Sequence, residues 1–397
     1  MLAVRARSLF DGAGPELVER PLVLVEKGRI VDVRAGGEPP VGAELVDLGG
    51  ATLLPGFVDT HVHLAFDASD DVVGSLRDAD DEELLARMRA AARATLAAGV
   101  TTVRDLGDRG YLALRLREET AKAPAAGPRV LASGPPVTVP GGHCWFLGGE
   151  AKGVEGLRAA VRERAERGVD VVHVMVTGGD LTPESDPYHA QYGHTELRAV
   201  VREAHRHELP ITAHAHSAAG IADAVAAGFD SVEHCFFATE DAEDTEGAGE
   251  GVDYDRRVID EMFRAGVAAS LTFGSLPGVP PPPHVPRRLP GTVAGLDAMR
   301  QAGVIMACGS DSGTFPVRPH GGHPHSVTAM VELGFTPLEA LRAATSTAAR
   351  VCGVACHKGC VAPGYDADLV AVAGDPLADV TAVHAVTAVF RGGARVV

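Results

Sequence analysis

The chain has 397 residues, which is enough for one large domain or two ordinary ones. It has 36 Lys and Arg against 53 Asp and Glu, a formal net charge of −17. This acidic balance argues against nucleic acid and anionic lipid as partners, because both require a basic surface. Hydrophobic residues make up 46% of the sequence and aromatic residues only 5%, so a core of Ala, Val and Leu is expected, as in helices packed on strands.

No apolar run approaches the roughly 20 residues of a membrane span. Residues 1–7 lack the apolar region of a secretory signal, so we expect a cytoplasmic protein with no membrane partner.

The six cysteines are too sparse for a disulfide framework. Cys352, Cys356 and Cys360 flank His357, but their spacing differs from that of zinc ribbons and favours a loop with incidental thiols over a metal or redox cluster. No feature fixes the oligomeric state, and a homo-oligomer stays open.

Residues 1–50 alternate short strand patterns with turns, beginning with one strand over residues 2–10. From about residue 51 the pattern changes to a repeat of strand, loop and helix. The predicted strands of this repeat are Leu54–Leu64, Val100–Asp105, Arg129–Ser133, Val169–Val176, Ile211–His216, Ser231–Cys235, Val267–Thr272 and Val304–Ser310. The predicted helices are Asp80–Ala98, Val154–Arg167, His194–Glu208, Ile221–Ala227, Tyr254–Ala265, Val293–Ala302, Pro324–Leu333 and Pro337–Val351.

Eight strands with intervening helices predict an α/β fold of the (β/α)8 type, a TIM barrel, over residues 58–356. The alternative is an open doubly wound sheet, but no Gly-x-Gly-x-x-Gly turn follows the first strand. Residues 357–397 return to strand patterns. We therefore expect residues 1–57 and 357–397 to pair into one small β domain beside the barrel.

Two histidines stand two residues apart in the first strand of the repeat, His61 and His63. Side chains on a strand have a period of two, so both imidazoles point the same way. A lone His-x-His pair is more often two core histidines bonded to backbone carbonyls. The other predicted strand ends change this balance, because they carry His173, His214, His216, Glu233, His234 and Asp311.

In a barrel the carboxyl ends of all strands meet at one mouth. Several imidazoles and a carboxylate buried together are costly unless a cation compensates them. The pattern therefore predicts a metal site. Zinc suits His and Asp ligands best, with iron and manganese as the alternatives.

Eight short motifs occur in this order along the chain: residues 55–63 (PGFVDTHVH), 175–179 (MVTGG), 213–216 (AHAH), 231–234 (SVEH), 309–313 (GSDSG), 319–321 (PHG), 343–345 (AAT) and 363–370 (PGYDADLV). In these motifs the chain resembles the amidohydrolase superfamily, in particular its imidazolonepropionase-like and Xaa-Pro-dipeptidase-like members. The resemblance covers nearly the whole chain and implies that the flanking strands form a composite β-sandwich.

The resemblance also implies residue roles. His61 and His63 would hold one metal together with Asp311. His214 and His234 would hold a second metal, or else contact the catalytic water and substrate. Asp311 would act as general base, taking a proton from the metal-activated water and passing it to the leaving nitrogen.

One position departs from the family pattern. Strand four of the binuclear members supplies a lysine whose carbamate bridges two metals, and here His173 stands in that place. Histidine cannot form the carbamate, and a neutral imidazole has a single lone pair. The site therefore holds one metal, which is the interpretation we favour, or His173 binds one of two ions bridged by water. His173 could instead orient a ligand without touching metal, or the site could have lost activity.

Candidates for substrate contacts lie in the loops after the strands. His143 follows strand three, where relatives have a Gly-Gly-His loop, and would hydrogen-bond the scissile carbonyl. Trp145 would line the pocket or join the core. Tyr192, His216 and His320 would contact polar groups of the substrate or orient Asp311. Arg318 is a further candidate, as an anchor for a carboxylate.

We therefore expect an enzyme that uses a metal to hydrolyse a C–N bond in a small molecule: an amide, a cyclic amide, or a dipeptide or N-acyl amino acid. A deaminase is the mechanistic alternative, because the same chemistry would attack an amidine carbon on one metal. The alternative of a different class is a catalytically silent relative that acts as a binding protein. The sequence cannot identify the substrate, because loops with no transferable code form the pocket.

Overall fold

The computed structural model of the chain describes residues 1–182, 184–239, 254–279 and 284–397, and of residues 284–290 the backbone alone. The strands of the N-terminal segment are β1 (Leu2–Arg5), β2 (Ser8–Leu9), β3 (Val18–Glu19), β4 (Pro21–Glu26), β5 (Arg29–Ala35), β6 (Glu44–Asp47) and β7 (Ala51–Pro55). The repeat contains β8 (Phe57–Val62), β9 (Val100–Asp105), β10 (Arg129–Ala132), β11 (Val172–Met175), β12 (Ile211–Ser217), β13 (Ser231–Ala238), β14 (Ala268–Leu271) and β15 (Met306–Cys308). The C-terminal strands are β16 (Leu369–Ala373), β17 (Val386–Arg391) and β18 (Ala394–Arg395).

Strands β8 to β15 form the predicted barrel. They pair in parallel in two groups, with the orders β10-β9-β8 and β11-β12-β13-β14-β15. Parallel bridges join the two groups at both edges, between Val62 and Ser312 and between Val137 and Val174. Because both junctions are bonded, the strands close in chain order and their carboxyl ends share one mouth.

Helices lie between the barrel strands and cover them. Asp80, Ser217 and Asp255 cap three helix starts with their side chains, and Gly168 and Gly228 end two helices in the left-handed conformation. The described helices are α1 (Val72–Asp78), α2 (Asp81–Ala97), α3 (Leu112–Lys122), α4 (Gly153–Arg167), α5 (His194–Arg206), α6 (Ala218–Ala227), α7 (Arg256–Ala265), α8 (His284–Ala302), α9 (His323–Glu332), α10 (Pro337–Ala343) and α11 (Ser346–Val351). None of them is long and apolar enough to cross a bilayer.

Three details of the predicted elements were wrong. The single helix predicted over residues 337–351 is two helices, because the Ala344 carbonyl accepts a hydrogen bond from Val58 of β8 and Thr345 leaves the helical conformation. The strand predicted over residues 2–10 is divided between β1 and β2, which lie in different sheets. Helices α1 and α3 were not predicted.

The chain ends form two further sheets, with the orders β5-β4-β1-β6 and β18-β17-β16-β7-β2-β3. Side chains from both sheets share one apolar core, to which Val23, Leu53, Leu369 and Phe390 belong. The two sheets therefore pack face to face as a sandwich. The predicted domain boundaries at residues 57 and 357 stay a prediction.

Candidate active site

The His-x-His pair lies at the carboxyl end of β8. His61 and His63 are buried, and their Nε2 atoms lie 3.2 Å apart, so the two rings point the same way. Asp311 follows β15, and its Oδ1 lies 3.5 Å from the Nε2 atom of each histidine. We call these three residues the β8 group.

A second cluster lies on the neighbouring strands. His214 and His216 belong to β12, and His234 belongs to β13. The Nδ1 atom of His214 lies 2.9 Å from the Nε2 atom of His234. We call these three residues the β12 group. Within each group the three ligand atoms lie within 4.8 Å of one another. His216, predicted as a substrate contact, thus supplies a nitrogen to this group.

The backbone at two of these residues has an unusual conformation. Asp311 has φ 54° and His234 has φ 71°, which is the left-handed region that residues with a side chain rarely adopt. Glu233 and His234 are both buried, and each contacts a histidine of the site, His61 and His214 respectively. Such conformations persist only where the surrounding structure enforces them, and they concentrate at functional sites.

His173 lies between the two groups. Its ring centroid is 5.8 Å from that of His61 and 6.3 Å from that of His214. Its Nδ1 lies 2.6 Å from the carbonyl oxygen of Leu106, so Nδ1 carries the proton and donates it. The Nε2 atom is buried without a hydrogen-bond partner among the described residues. A lone pair therefore faces the site from the strand-four position.

Hydrogen bonds to Nδ1 orient the rings of His61 and His234 in the same way. The Nδ1 atom of His61 lies 2.9 Å from Oε2 of Glu233, and the Nδ1 atom of His234 lies 2.8 Å from the Thr272 hydroxyl. When Nδ1 donates to these acceptors, the Nε2 lone pair of each ring points toward the cavity. Contacts of this kind fix the tautomer of metal-binding histidines.

Burial keeps five imidazoles of the site uncharged. It lowers the pKa values of His63, His214 and His234 well below their ordinary value, and the neighbouring imidazoles lower them further. Burial likewise lowers the pKa values of His143 and His173 to about 3. At neutral pH these rings are therefore in the form that binds metal.

Glu233 and Arg104 form an ion pair behind the site. This pair was not predicted from the sequence. Oε1 of Glu233 lies 2.6 Å from Nη2 of Arg104, and both side chains are almost fully buried. Burial alone would raise the pKa of Glu233, but Arg104 and the hydrogen bond to His61 outweigh it and hold the pKa at about 2. The sequence did contain a signal for this pair, because Arg104 and Glu233 are charged residues inside the buried strands β9 and β13.

Two glycines allow the histidines to approach the backbone. A Cβ atom on Gly309 would lie 2.8 Å from Cβ of His61. A Cβ atom on Gly179 would lie 2.6 Å from Nε2 of His143 and 2.9 Å from Nε2 of His214. Because real Cβ atoms do not come this close to other heavy atoms, a side chain at either position would have to displace a histidine.

Both groups open into a cavity of about 140 Å³, which His143 and His173 also line. Three predicted substrate contacts lie outside the lining. Trp145 is 47% exposed, the Tyr192 hydroxyl donates to the Ala151 carbonyl, and Nε2 of His320 donates to the Phe66 carbonyl. The cavity gives no support to a substrate role for them. Its apolar walls were not predicted and consist of Met175, Leu181, Phe236, Phe273, Phe315 and Val317.

The donor set fits a divalent cation. It offers two groups of three ligand atoms, uncharged imidazoles and a buried nitrogen on His173 that has no partner in the described part of the chain. No such group of three occurs around Cys352, Cys356 and Cys360 in the described residues. A closed barrel with these ligands at the carboxyl ends of its strands defines the class of metal-dependent (β/α)8 hydrolases.

The chain belongs to the amidohydrolase family, whose model matches residues 52–396. Ochratoxinase of Aspergillus niger is 30% identical over 438 residues, which cover 98% of this chain and 85% of that protein. Imidazolonepropionase of Colwellia psychrerythraea is 28% identical over 82% of this chain and 77% of its own length. A crystal structure of a Xaa-Pro dipeptidase with bound methionine in the active site has a TM-score of 0.83, with 27% identity and 99% of both chains covered.

These similarities confirm the predicted family, fold and class of reaction. The chain is an enzyme that hydrolyses C–N bonds with a metal, and its substrate is a small molecule.

Proposed function

We propose that the enzyme cleaves the amide bond of an N-acyl amino acid or dipeptide, with zinc as its metal. One observation carries the proposal: the two ligand groups line one cavity together with six apolar side chains, those of Met175, Leu181, Phe236, Phe273, Phe315 and Val317. Ochratoxinase and Xaa-Pro dipeptidase, two proteins to which this chain is similar, support an amide that joins an amino acid to an acyl group.

Each side chain has a role in this scheme. The β8 group would hold one ion with His173 as an additional donor, and the β12 group would hold a second ion or contact the substrate. A divalent cation bound there lowers the pKa of water to about 7. Asp311 accepts the proton of the attacking water and delivers it to the leaving nitrogen. His143, whose buried Nδ1 has no partner among the described residues, offers an N–H to the scissile carbonyl.

A deaminase is the second candidate, and the histidine at the strand-four position favours it. If the bridging lysine of the family belongs there, as the resemblance implies, His173 leaves a site for one ion, which suffices to attack an amidine carbon. The two candidates release different products: an amidase releases an amine with its acyl acid, whereas a deaminase releases ammonia.

The test combines metal analysis with an activity panel. We expect the purified protein to contain zinc and to hydrolyse members of a panel of N-acetyl amino acids, Xaa-Pro dipeptides, cyclic amides and aminoheterocycles. Asp311→Asn should lower kcat by about 10²–10⁴-fold, because the proton acceptor is lost. Asp297→Asn, which changes an exposed carboxylate on α8, is the matched control.

Metal content in the same experiment tests His173. If His173 is a ligand, His173→Ala lowers the amount of bound metal, and unchanged content excludes that role. Release of ammonia alone would establish the deaminase. A wild-type protein that holds no metal and turns over no member of the panel would be a silent binding protein instead.

A further inference from the structure

Arg318 extends into the cavity from the turn that follows β15. The turn is fixed by its backbone, because the Gly313 N–H donates to the Arg318 carbonyl at 2.8 Å and the Arg318 N–H donates to the Phe315 carbonyl at 2.8 Å. The side chain is 16% exposed. Arg318 is the permanent cation of the cavity, because no other arginine or lysine is among the described residues that line it.

The guanidinium contacts one oxygen of Asp311. Its Nη1 donates to Oδ2 at 2.6 Å, whereas Oδ1 faces His61 and His63. No other hydrogen bond of this guanidinium occurs within the described ranges. Arginine has five N–H donors in a planar fork that matches a carboxylate, so donors remain for a second acceptor.

Two apolar residues, Phe315 and Val317, precede Arg318 in the same turn and line the cavity. The Arg318 side chain is largely buried, and a buried charge is costly unless a counter-charge meets it. Asp311 supplies a counter-charge to Arg318. Asp311 also belongs to the β8 group, however, where a bound cation would share the same carboxylate.

We propose that Arg318 is the receptor for a substrate carboxylate, so that the enzyme prefers amides that carry a free carboxylate beside an apolar group. This inference rests on the proposed function. The carboxylate would occupy the open side of the fork, and the apolar group would pack on Phe236 and Phe273, whose ring centroids lie 5.4 Å apart. Methionine, which occupies the active site of the related Xaa-Pro dipeptidase, combines a carboxylate with an apolar side chain.

The experiment compares two probes that differ only at the carboxylate, N-acetyl-L-phenylalanine and N-acetyl-L-phenylalaninamide. For the wild type we expect kcat/KM to be about 10- to 100-fold higher with the carboxylate, since hydrogen bonds to charged groups are the strong ones. Arg318→Met should abolish this ratio, and Arg318→Lys should restore part of it. Arg300→Met, which removes a surface arginine paired with Asp297, should leave the ratio unchanged.

Calorimetry on the metal-free protein gives a readout that does not need catalysis. We expect N-acetyl-L-phenylalanine to bind the wild type at least 10-fold more tightly than its amide, and this difference to vanish in Arg318→Met. If Arg318→Met does not fold, the role of Arg318 is tested by the preference for the carboxylate probe over the amide probe in the wild type and in Arg318→Lys.

The two proposals fail in different ways. A wild type that hydrolyses both probes equally, or an Arg318→Met variant that keeps the preference, overturns the role of Arg318 and leaves the amidase intact. A protein that binds the carboxylate through Arg318 but cleaves no amide overturns the proposed function alone.

Discussion

Glu233 determines the orientation of His61. It is fully buried, accepts a hydrogen bond from Nδ1 of His61, and pairs with Arg104. Glu233→Gln keeps the shape of the side chain but removes its charge. We expect metal affinity to fall by about 10- to 100-fold, because the tautomer of His61 is no longer fixed. We also expect the free energy of unfolding to fall by about 3 kcal/mol, because Arg104 loses its counter-charge.

A second buried glutamate provides the control. Glu203 on α5 is 2% exposed, but its partners Arg162 and Arg206 are 43% and 66% exposed. Glu203→Gln should therefore cost no more than about 1 kcal/mol and leave the metal content unchanged. Metal titration and urea unfolding measure both effects. Equal metal affinity in the two variants would contradict the role assigned to Glu233.

At the scale of single elements, the close contact between the end of β15 and β8 requires a glycine. Gly309→Ala would place a methyl group 2.8 Å from Cβ of His61 and 3.0 Å from the Thr60 hydroxyl. We expect a loss of about 1–3 kcal/mol in the free energy of unfolding, together with weaker metal binding, because His61 must move.

The matched change is Gly156→Ala in α4, where an added Cβ meets no atom within 4 Å. It should raise the free energy of unfolding by about 0.5–1 kcal/mol, since alanine favours the helix. If the contact at Gly309 is as tight as described, urea unfolding should show a lower free energy of unfolding for Gly309→Ala and a higher one for Gly156→Ala. A neutral Gly309→Ala would exclude that contact.

The order of strands and helices could be predicted because each barrel strand is a short apolar run and many helices end at a glycine. His61 and His63 were predictable for the same reason, since a strand has a fixed period. The left-handed turn at His234 could not be predicted, because contacts between distant strands enforce it. The break between α10 and α11 could not be predicted either, because it depends on a hydrogen bond from β8.

At the scale of the whole molecule, the site makes stability depend on pH. Burial lowers the pKa values of imidazoles in and around the site: His63, His143, His173, His214, His234, His320 and His323. Unfolding restores an ordinary pKa near 6.5, so below that pH the unfolded chain binds the additional protons and stability falls as pH falls. Three buried carboxyl groups with raised pKa values act in the opposite direction: Asp105, Asp108 and Asp311.

The imidazoles outnumber the carboxyl groups, so below pH 6.5 the unfolded chain holds more protons than the folded chain, and each additional proton is worth about 1.4 kcal/mol per pH unit. Domains are stable by only about 5–15 kcal/mol, so the metal-free protein should unfold within a few pH units below 6.5. Bound metal competes with these protons and should move the transition to lower pH. Urea unfolding of the metal-free protein between pH 7 and 5, repeated with zinc, measures both effects. Equal stability at pH 6.5 and 5 without metal would contradict the excess of protons assigned to the unfolded chain.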